Sequence, residues 1–321
     1  MTEESQYPLV TFALFAYNQE KYIREAVLGA LSQDYPRLQV ILSDDGSIDS
    51  TFQQMRQVIE QYRGPHNVLL NQNKRNLGIG AHVNKIMSLA RGEIVIVAAG
   101  DDFSLPNRTK RIVDAFESFG DSACSIWSRA EYVDEHGDIV GRKFPGNPDG
   151  YTPRSIIRNE SPVIGATHAW RRGVFDFFGP LMNDVMFEDN AISFRSYLLG
   201  GIRYLNESLV RYRTHSQNIT NYVKNDNIAS LYAGASQRNR WALAGVAQRR
   251  RDLALAVTRG KVSVSHAQIM RGELASLERR IIRRLKAYDG FPAVPWRLMI
   301  HMLMDPEIAK VFVRAIRYRP L

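Results

Sequence analysis

The sequence predicts an α/β protein with a mostly parallel sheet, helices on both faces of that sheet, and a helical C-terminal extension. Through the first hundred residues, short apolar runs alternate with segments whose apolar residues recur every three or four positions. After Thr220 the pattern becomes almost wholly helical. Strands that are separated by helices favour a parallel sheet, because parallel neighbours need a crossover connection.

Four predicted strands and four predicted helices account for the N-terminal part of the chain. Each strand is an apolar run too short for a helix, and each helix carries one apolar face. Asp49 or Ser50 can cap the second helix, and Pro106 stands where the fourth should begin. In chain order we expect strand Leu9–Phe15, helix Glu20–Gln33, strand Leu38–Leu42, a helix burying Phe52, Met55, Val58 and Ile59, strand Val68–Leu70, helix Gly80–Ala90, strand Glu93–Ala98, and a helix from Pro106 through Phe116.

The next part of the chain follows a different pattern. Ser125–Trp127 and Glu131–Val133 read as short strands, and Gly137-Asp138 reads as a hairpin turn. Phe187–Leu199 is a predicted helix that ends at two glycines. The most regular helix is Arg271–Lys286, in which Leu274, Leu277, Ile281 and Leu285 form a seam suited to a packing partner.

Composition excludes several classes of protein. The chain has 321 residues, of which 45% are hydrophobic, with 14 Phe, 14 Tyr and 4 Trp, so it is not disordered throughout. Cys124 is the only cysteine, which rules out a disulfide scaffold. The acidic, polar start does not resemble a signal peptide, and no apolar run approaches the roughly 18 residues of a membrane span. We therefore expect a cytoplasmic protein, either soluble or peripheral on the inner face of the cell membrane.

The net charge of +9 is concentrated in the C-terminal region. Residues 222–321 carry 19 Lys and Arg against 7 Asp and Glu, whereas the first 221 residues are slightly acidic. Asp305-Pro306 begins a helix with Ile308, Val311, Phe312 and Ile316 on one side and basic residues beside them. Such a helix either lies on an anionic membrane surface or packs on the protein or on another subunit.

Polar clusters follow each of the first four predicted strands, at the edge where ligands bind to parallel sheets. They are Tyr17-Asn18, Ser43–Ser47, Asn76–Gly80 and Gly100–Asp102. The first turn lacks the glycines of a dinucleotide-binding loop, and the chain has no P-loop. The adjacent carboxylates of Asp101 and Asp102 are hard oxygen ligands that suit Mg²⁺ or Mn²⁺, or else they cap the following helix.

In combination, these motifs resemble those of family-2 glycosyltransferases, which are of the nucleotide-sugar-binding GT-A type with a Rossmann-like sheet. The likeness extends to bacterial polysaccharide (O-antigen or capsule) glycosyltransferases and covers about residues 7–220. The residues that carry it are Phe15–Glu20, Ser32-Gln33, Asp44–Asp49, Asn76 to Asn84, Asp101 to Pro106, Phe187–Asn190 and Leu209–His215.

The resemblance implies a role for each matching residue. Asp44 reads the nucleotide base, and its carboxylate favours uracil or thymine. Tyr17 and Glu20 line the same pocket, and Asn76, Asp101 and Asp102 also contact the nucleotide sugar. Asp101 and Asp102 correspond to the metal motif, although Ala99 replaces its first acidic residue, and His215 approaches the metal or the diphosphate. Asp189 is the expected catalytic base, with Glu188 as the second candidate.

The predicted function is therefore inverting, metal-dependent transfer of a hexosyl or deoxyhexosyl group, from a UDP- or dTDP-sugar to a hydroxyl of a glycan or lipid-linked glycan. Residues 1–221 would form the catalytic domain, with its nucleotide-sugar half at about 7–120 and its acceptor half at about 121–221. Residues 222–321 would be a basic helical region for membrane association or homo-oligomerisation. Trp127 and Trp170 either stack on an acceptor sugar or pack in the core.

Three further interpretations bear on these predictions. Gln237–Trp241 matches a signature of processive synthases, but an ordinary exposed basic helix explains it better because the chain lacks membrane spans. A non-catalytic protein that binds sugar nucleotides or carbohydrates on the same scaffold is the alternative function. A nucleic-acid-binding protein is disfavoured, because the basic tail contains no zinc-ligand spacing and no base-reading motif.

Overall fold

The computed structural model describes residues 7–141, 150–160, 163–216, 218, 228–289 and 305–316. The predicted loop at 146–150 lies outside these ranges except for Gly150, and so does most of the segment between His215 and the C-terminal helices. Within the described ranges, no helix is long and apolar enough to cross a membrane.

The described elements alternate between strands and helices up to residue 120 and become entirely helical after residue 227. The strands are β1 Val10–Ala16, β2 Leu38–Asp44, β3 Asn67–Gln72, β4 Ile94–Ala99, β5 Phe103–Ser104, β6 Ser125–Val133, β7 Ile139–Gly141, β8 His168–Arg171 and β9 Ile202–Arg213. The helices are α1 Ile23–Leu31, α2 Thr51–Gln61, α3 Ile79–Leu89, α4 Arg108–Phe119, α5 Pro153–Arg158, α6 Arg172–Phe178, α7 Glu188–Leu199, α8 Ile228–Thr258, α9 Val264–Asp289 and α10 Pro306–Ile316.

The strands form one mixed sheet in the order β3-β2-β1-β4-β8-β6-β9-β5, with β7 paired to β6. The first four of these neighbours are parallel, as predicted. Strands β1 and β2 are buried along almost their whole length because helices cover both of their faces. The predicted α/β fold with a C-terminal helical extension is confirmed.

The second half of the sheet is mixed, and the sequence predicts less of it. Strand β8 runs antiparallel to both β4 and β6, whereas β9 runs parallel to β6. The two predicted strands at 125–127 and 131–133 are one continuous strand, and the hairpin turn into β7 is present. Strands β5, β8 and β9 carry no clear sequence signal, because much of β9 is only partly buried and β5 has two residues.

Helices α8 and α9 share a hydrophobic core with the second half of the sheet. Val246, Leu253 and Leu274 from these helices lie in the same buried cluster as Trp127 and Phe194. The predicted seam of α9 faces this cluster, with Leu274 and Ile281 buried and Leu277 and Leu285 packed against it. Helices α8 and α9 are therefore continuous with the core of the preceding residues across the predicted boundary at residue 221.

Helix α10 also packs on the protein. Its Ile308 and Val311 are buried against Leu231 and Tyr288 of α8 and α9. At its start, the Asp305 carboxylate accepts hydrogen bonds from the Arg284 guanidinium at 2.7 and 2.9 Å. Packing on the protein, one of the alternatives for this helix, explains why Ile308 and Val311 are buried. Contact of the helix with a membrane surface stays a prediction.

Candidate active site

The loop after β2 presents Asp44 at the C-terminal edge of the sheet. The Asp44 carboxylate is buried and accepts hydrogen bonds from the backbone N–H and the hydroxyl of Ser47, and a 3.3 Å hydrogen bond from Gln72 Nε2. Gly46 adopts a φ of 72°, and a Cβ there would lie 2.6 Å from the Arg75 backbone, so only glycine fits this turn. The turn thus holds a carboxylate in a fixed position at the predicted base-binding end of the site.

Tyr17 and Glu20 lie on the neighbouring loop after β1, which is joined to the Asp44 loop by hydrogen bonds. Asn18 donates its N–H to the Ser47 hydroxyl at 2.8 Å and accepts from the N–H of Ile48 at 3.0 Å. The Tyr17 ring is 42% exposed and is available for a ligand. Glu20 instead accepts from the Ser50 N–H and hydroxyl at the start of α2, so its carboxylate stabilises the second loop.

Asp45, which the sequence did not single out, supports the loop that carries Asn76. Its carboxylate accepts from Asn73 Nδ2 at 2.7 Å and from the N–H groups of Leu77 and Gly78 at 3.0 and 3.1 Å. Asn76 accepts a further hydrogen bond from the Gly78 N–H through its own side chain. The sequence feature that could have identified Asp45 is its position beside Asp44 in the Asp-Asp-Gly-Ser turn. The two neighbouring carboxylates face different loops.

Asp101 and His215 meet at the edge formed by the ends of β4 and β9. The Asp101 Oδ2 and His215 Nε2 atoms are 3.0 Å apart, and the His215 ring lies against Tyr22 at a centroid distance of 4.9 Å. Burial raises the pKa of the Tyr22 hydroxyl, with a further contribution from Glu135. The structure therefore brings together two residues that the sequence assigns to a metal or diphosphate site, and that role stays a prediction.

Arg213 holds this corner together. Its N–H donates to Asp102 Oδ1 at 2.8 Å and its Nε to the Asp101 carbonyl at 3.1 Å. Its Nη2 donates to Glu25 at 2.6 Å, and its guanidinium lies 4.8 Å from the centre of the Tyr22 ring. Arg213, a buried arginine at the end of β9, therefore fixes the acidic loop. In the Arg-Thr-His motif that ends this strand, the arginine thus has a structural role.

Asp102 points into the protein rather than toward the ligand edge. Among the described residues, only one of its carboxylate oxygens has a hydrogen-bond partner, and the other is buried without one. Burial, reinforced by the neighbouring Asp101, raises the pKa of Asp102 well above its usual range. The structure thus separates the two expected acidic ligands, leaving Asp101 at the edge and Asp102 in the interior.

The residues of this corner fit a divalent cation that shares its shell with a substrate. In the described ranges, no group of three or more His, Cys, Asp or Glu side chains is arranged to hold a metal. Asp101 and His215 offer one carboxylate and one imidazole, a donor pair that suits Mn²⁺, with phosphate oxygens and water as the remaining ligands.

Glu188 and Asp189 lie in the first turn of α7. Burial and then the charge of Asp189 raise the pKa of Glu188 to about 8. Burial raises the pKa of Asp189 to about 6, against the opposing effects of a hydrogen bond from the Asn190 N–H and the positive charge of Arg249. Two carboxyl groups whose pKa values are driven apart near neutral pH are typical of acid–base chemistry.

Gly165 packs closely against both of these carboxyl groups. A Cβ at this position would lie 3.3 Å from Asp189 Cβ and 3.4 Å from Glu188 Oε1. The glycine therefore lets the loop before β8 approach the pair without displacing it. Sequence reasoning gave no signal for Gly165, because its role depends on residues that are distant along the chain.

A cavity of about 320 Å³ opens beside α7. It is bounded by the start of α3, the loop before α7, and one face of α8, and it is lined by Gly78, Ile79, Asn183, Asp184, Val185, Met186, Gln237, Arg240, Trp241 and Ala244. The Gly80 N–H donates to the Val185 carbonyl at 3.0 Å, which ties α3 to the loop before α7. The mixture of apolar, amide and charged groups resembles the lining of small-molecule sites.

The segment Gln237–Trp241 borders this cavity. Gln237, Arg240 and Trp241 all line it, and the Trp241 ring packs edge-on against Phe187 with centroids 6.1 Å apart. Gln237 and Arg240 are exposed, as expected for an exposed basic helix, whereas the half-buried Trp241 lies next to the residue that precedes Glu188.

The structure places Trp127 and Trp170 in the core instead of at an acceptor surface. Their side chains are 0% and 1% exposed, and Trp127 packs against Tyr204 while Trp170 packs against His168. A sugar needs an open ring face for stacking, and neither indole offers one. Both residues therefore pack in the core, which was the alternative to stacking on an acceptor sugar.

Comparison with known proteins identifies a family. The sequence model described as "Glycosyl transferase family 2" matches residues 11–178, which is about half of the chain. Chondroitin synthase of Escherichia coli is 29% identical over 137 residues, covering 43% of this chain and 19% of that protein. A putative glycosyltransferase of Bacillus subtilis, EpsE, is 34% identical over 110 residues, covering 34% of this chain and 39% of that protein.

An uncharacterized glycosyltransferase of Methanocaldococcus jannaschii is 28% identical over 158 residues, which is 49% of this chain and 52% of that protein. The chain thus spans less than two thirds of the length of these curated relatives.

Solved structures share the fold. S. aureus TarS 1–349 in complex with UDP-GlcNAc has a TM-score of 0.56 at 18% identity, with 97% of this chain and 91% of that chain covered. A mannosyltransferase from Pyrobaculum calidifontis, in complex with GDP-Man and Mn²⁺, has a TM-score of 0.55 at 16% identity, with 98% of this chain and 88% of that chain covered.

Proposed function

The chain belongs to glycosyl transferase family 2 and has its GT-A fold, and from that premise we propose that it transfers a sugar from a nucleoside-diphosphate sugar to a hydroxyl of a glycan or lipid-linked glycan. The observation that carries this proposal is the Glu188–Asp189 pair at the start of α7, whose pKa values lie near 8 and 6. An acceptor hydroxyl needs a base to remove its proton, and Asp189 is the member of this pair with the lower pKa.

The reaction is a single displacement. Asp189 accepts the proton of the acceptor hydroxyl while the hydroxyl oxygen forms a bond to the anomeric carbon. The bond from that carbon to the diphosphate oxygen breaks, and the nucleoside diphosphate leaves with the electron pair. Attack from the face opposite the leaving group inverts the configuration of the sugar.

Asp44, Tyr17 and Asn76 would bind the nucleotide half of the donor. The buried Asp44 carboxylate is suited to accept the imide N–H of uracil or thymine, which favours a UDP- or dTDP-sugar. Asp101 and His215 would hold Mn²⁺ or Mg²⁺, which when bound neutralises charge on the departing diphosphate. Related folds crystallised with UDP-GlcNAc, and with GDP-Man and Mn²⁺, support a nucleotide-sugar donor and a cation.

The cavity between α3, the 183–186 loop and α8 is where we place the acceptor. Its volume of about 320 Å³ accommodates a monosaccharide, and its amide and charged groups suit sugar hydroxyls. Likeness to a chondroitin synthase supports a role in polysaccharide synthesis.

Release of nucleoside diphosphate from a panel of nucleotide sugars, with and without Mn²⁺, tests this function. We expect metal-dependent turnover with a UDP- or dTDP-sugar, and loss of turnover with retained donor binding in Asp189→Asn. Asp176→Asn is the matched control, because that carboxylate is exposed on α6 and pairs with Arg172 at 3.3 Å. Donor binding without turnover in the wild-type protein would instead indicate the non-catalytic sugar-nucleotide-binding alternative.

A further inference from the structure

Helix α9 has an outward face that carries positive charges and no acidic residue. The residues of this face recur every three or four positions, on a different side of the helix from the buried Leu274 and Ile281. All of them are exposed except Ala275, which is half-buried. We call this face the α9 stripe, and it consists of Val264, Gln268, Arg271, Ala275, Arg279, Ile282 and Lys286. At 1.5 Å per residue, the stripe is about 33 Å long.

The acidic residues of the C-terminal region are paired with cations outside the stripe. The described ranges 228–289 and 305–316 contain six acidic residues, and each of them forms an ion pair. The pairs are Arg158–Glu273, Arg195–Asp252, Arg240–Asp289, Arg250–Glu278, Arg284–Asp305 and Lys310–Glu307. The charges of Arg271, Arg279 and Lys286 are therefore not compensated by the acidic residues of these ranges.

The exposed faces of two other helices are balanced instead. On α2, Arg56 lies 3.5 Å from Glu60, which is one helical turn away. On α4, Lys110 lies 3.0 Å from Asp114 at the same spacing. Pairs of this kind leave little net charge on the surface of a helix. The unbalanced charge is thus a particular feature of the α9 stripe, to which a negatively charged partner is complementary.

Two apolar residues of the stripe indicate which kind of anion is the partner. Val264 is 69% exposed, and Ile282, between Arg279 and Lys286, is 39% exposed. Surfaces that lie on bilayers combine Lys and Arg for the anionic headgroups with apolar side chains that enter the boundary of the acyl chains. The phosphate backbone of a nucleic acid is bound by cations and gains nothing from exposed aliphatic side chains.

We propose that the α9 stripe is a docking surface for an anionic lipid bilayer. The sequence predicts such a contact for α10, but the apolar side of that helix is covered, because Ile308 and Val311 are buried against α8 and α9. Helix α9 offers the exposed surface instead. This inference goes beyond the proposed function, since lipid binding requires neither donor nor acceptor. A protein held at a bilayer would meet acceptors that are anchored in it, which is the lipid-linked option for the acceptor.

Co-sedimentation of the full chain with lipid vesicles tests the proposal. The vesicles contain phosphatidylcholine with about one third phosphatidylglycerol, and vesicles of phosphatidylcholine alone provide the uncharged comparison. One variant removes the three charges of the stripe and keeps long side chains that favour a helix. It carries Arg271→Gln, Arg279→Gln and Lys286→Gln.

A matched control removes the same number of charges from other helices. Its three cations are exposed and lie on α2, α4 and α5, so the net charge of the chain falls equally while the stripe stays intact. The control carries Arg56→Gln, Lys110→Gln and Arg154→Gln.

We expect the wild-type protein to bind the anionic vesicles and not the uncharged ones. The stripe variant should bind about 100-fold more weakly, since each basic residue near the surface contributes about fivefold, and the control should stay within about twofold of the wild type. Raising the salt concentration from about 50 to about 500 mM should weaken binding, because the interaction is screened. A variant with Val264→Ser and Ile282→Ser should also bind severalfold more weakly, although its charge is unchanged.

Equal binding of the stripe variant and the control would overturn the proposal, and so would a wild-type protein that does not sediment with anionic vesicles. Binding of duplex DNA that depends on the stripe, without binding to vesicles, would overturn it in favour of a nucleic acid. Circular dichroism checks the folding of the stripe variant. If that variant does not fold, Arg279→Gln alone decides, with an expected loss of about fivefold.

The vesicle measurement needs no turnover, so it is independent of the proposed function. Vesicle binding without sugar transfer would refute the proposed function and leave the docking surface intact. Sugar transfer to an acceptor in solution without vesicle binding would do the reverse.

Discussion

Removal of the Asp252 carboxylate should be among the most destabilising single changes in the protein. In Asp252→Ala, the fully buried Arg195 guanidinium loses both of its carboxylate hydrogen bonds, and the Gln248 amide loses a third. Breaking a buried ion pair by deleting one partner costs about 3–5 kcal/mol, because the other charge remains uncompensated. At roughly 2 °C per kcal/mol for a chain of this size, the melting temperature should fall by about 6–10 °C.

Urea unfolding followed by tryptophan fluorescence measures this loss, since Trp127 lies in the core that α8 shares with the sheet. The control is Glu60→Ala, which breaks an exposed i,i+4 pair with Arg56 and should cost less than about 0.5 kcal/mol. Replacement of both Arg195 and Asp252 by apolar residues should recover most of the stability, because no buried charge remains. If Asp252→Ala loses as little unfolding free energy as Glu60→Ala, the reasoning is refuted. The conclusion that α8 is an integral part of the folded core would then also be wrong.

Three further predictions concern the site. Asp44→Asn should weaken UDP binding about 10- to 100-fold, because loss of a hydrogen bond to a charged group costs about 1.5–3 kcal/mol. An unchanged affinity in calorimetry would contradict the base-reading role. Gly165→Ala should lower kcat about tenfold, because the added Cβ would press on Asp189. Gly173→Ala is the control and should leave kcat unchanged, because the space around Gly173 is open. Equal kcat values for the two variants would count against the role of Gly165 packing. Glu188 and Asp189 hold protons in the folded protein up to pH of about 8 and 6, which the unfolded chain releases near their usual pKa values of 4.5 and 3.8. The free energy of unfolding should therefore fall as the pH rises from about 4 to about 8, and thermal melts of Glu188→Gln should show a smaller fall than those of the wild type.

The sequence carries strong signals where local pattern and tertiary environment agree. Strands β1, β2 and β4 are apolar runs because both of their faces are covered, so their identity and parallel pairing are readable from the chain. The four polar clusters follow from the same logic, since parallel strands end at one edge. The Gly137-Asp138 turn is likewise local, and the hairpin that it predicts is present.

The rest of the site depends on partners that are far apart along the chain. No local pattern separates Asp101, at the ligand edge, from Asp102, which is buried beneath Arg213 of a distant strand. The closeness of Gly165 to Asp189 arises only when the turn before β8 packs against the start of α7. Burial of Trp127 is set by helices more than a hundred residues away, so sequence alone left its role open.

The antiparallel pairing of β4 with β8 has a consequence for how the chain folds. Strand β4 finishes the parallel part of the sheet, yet its second neighbour is supplied by a segment that comes much later in the sequence, with Val95 opposite Trp170. Until β8 arrives, the N-terminal strands present an apolar edge with unpaired backbone groups, the kind of surface that recruits other chains. During synthesis we expect this edge to be the point most vulnerable to aggregation, so truncations that end before β8 should be recovered as insoluble protein.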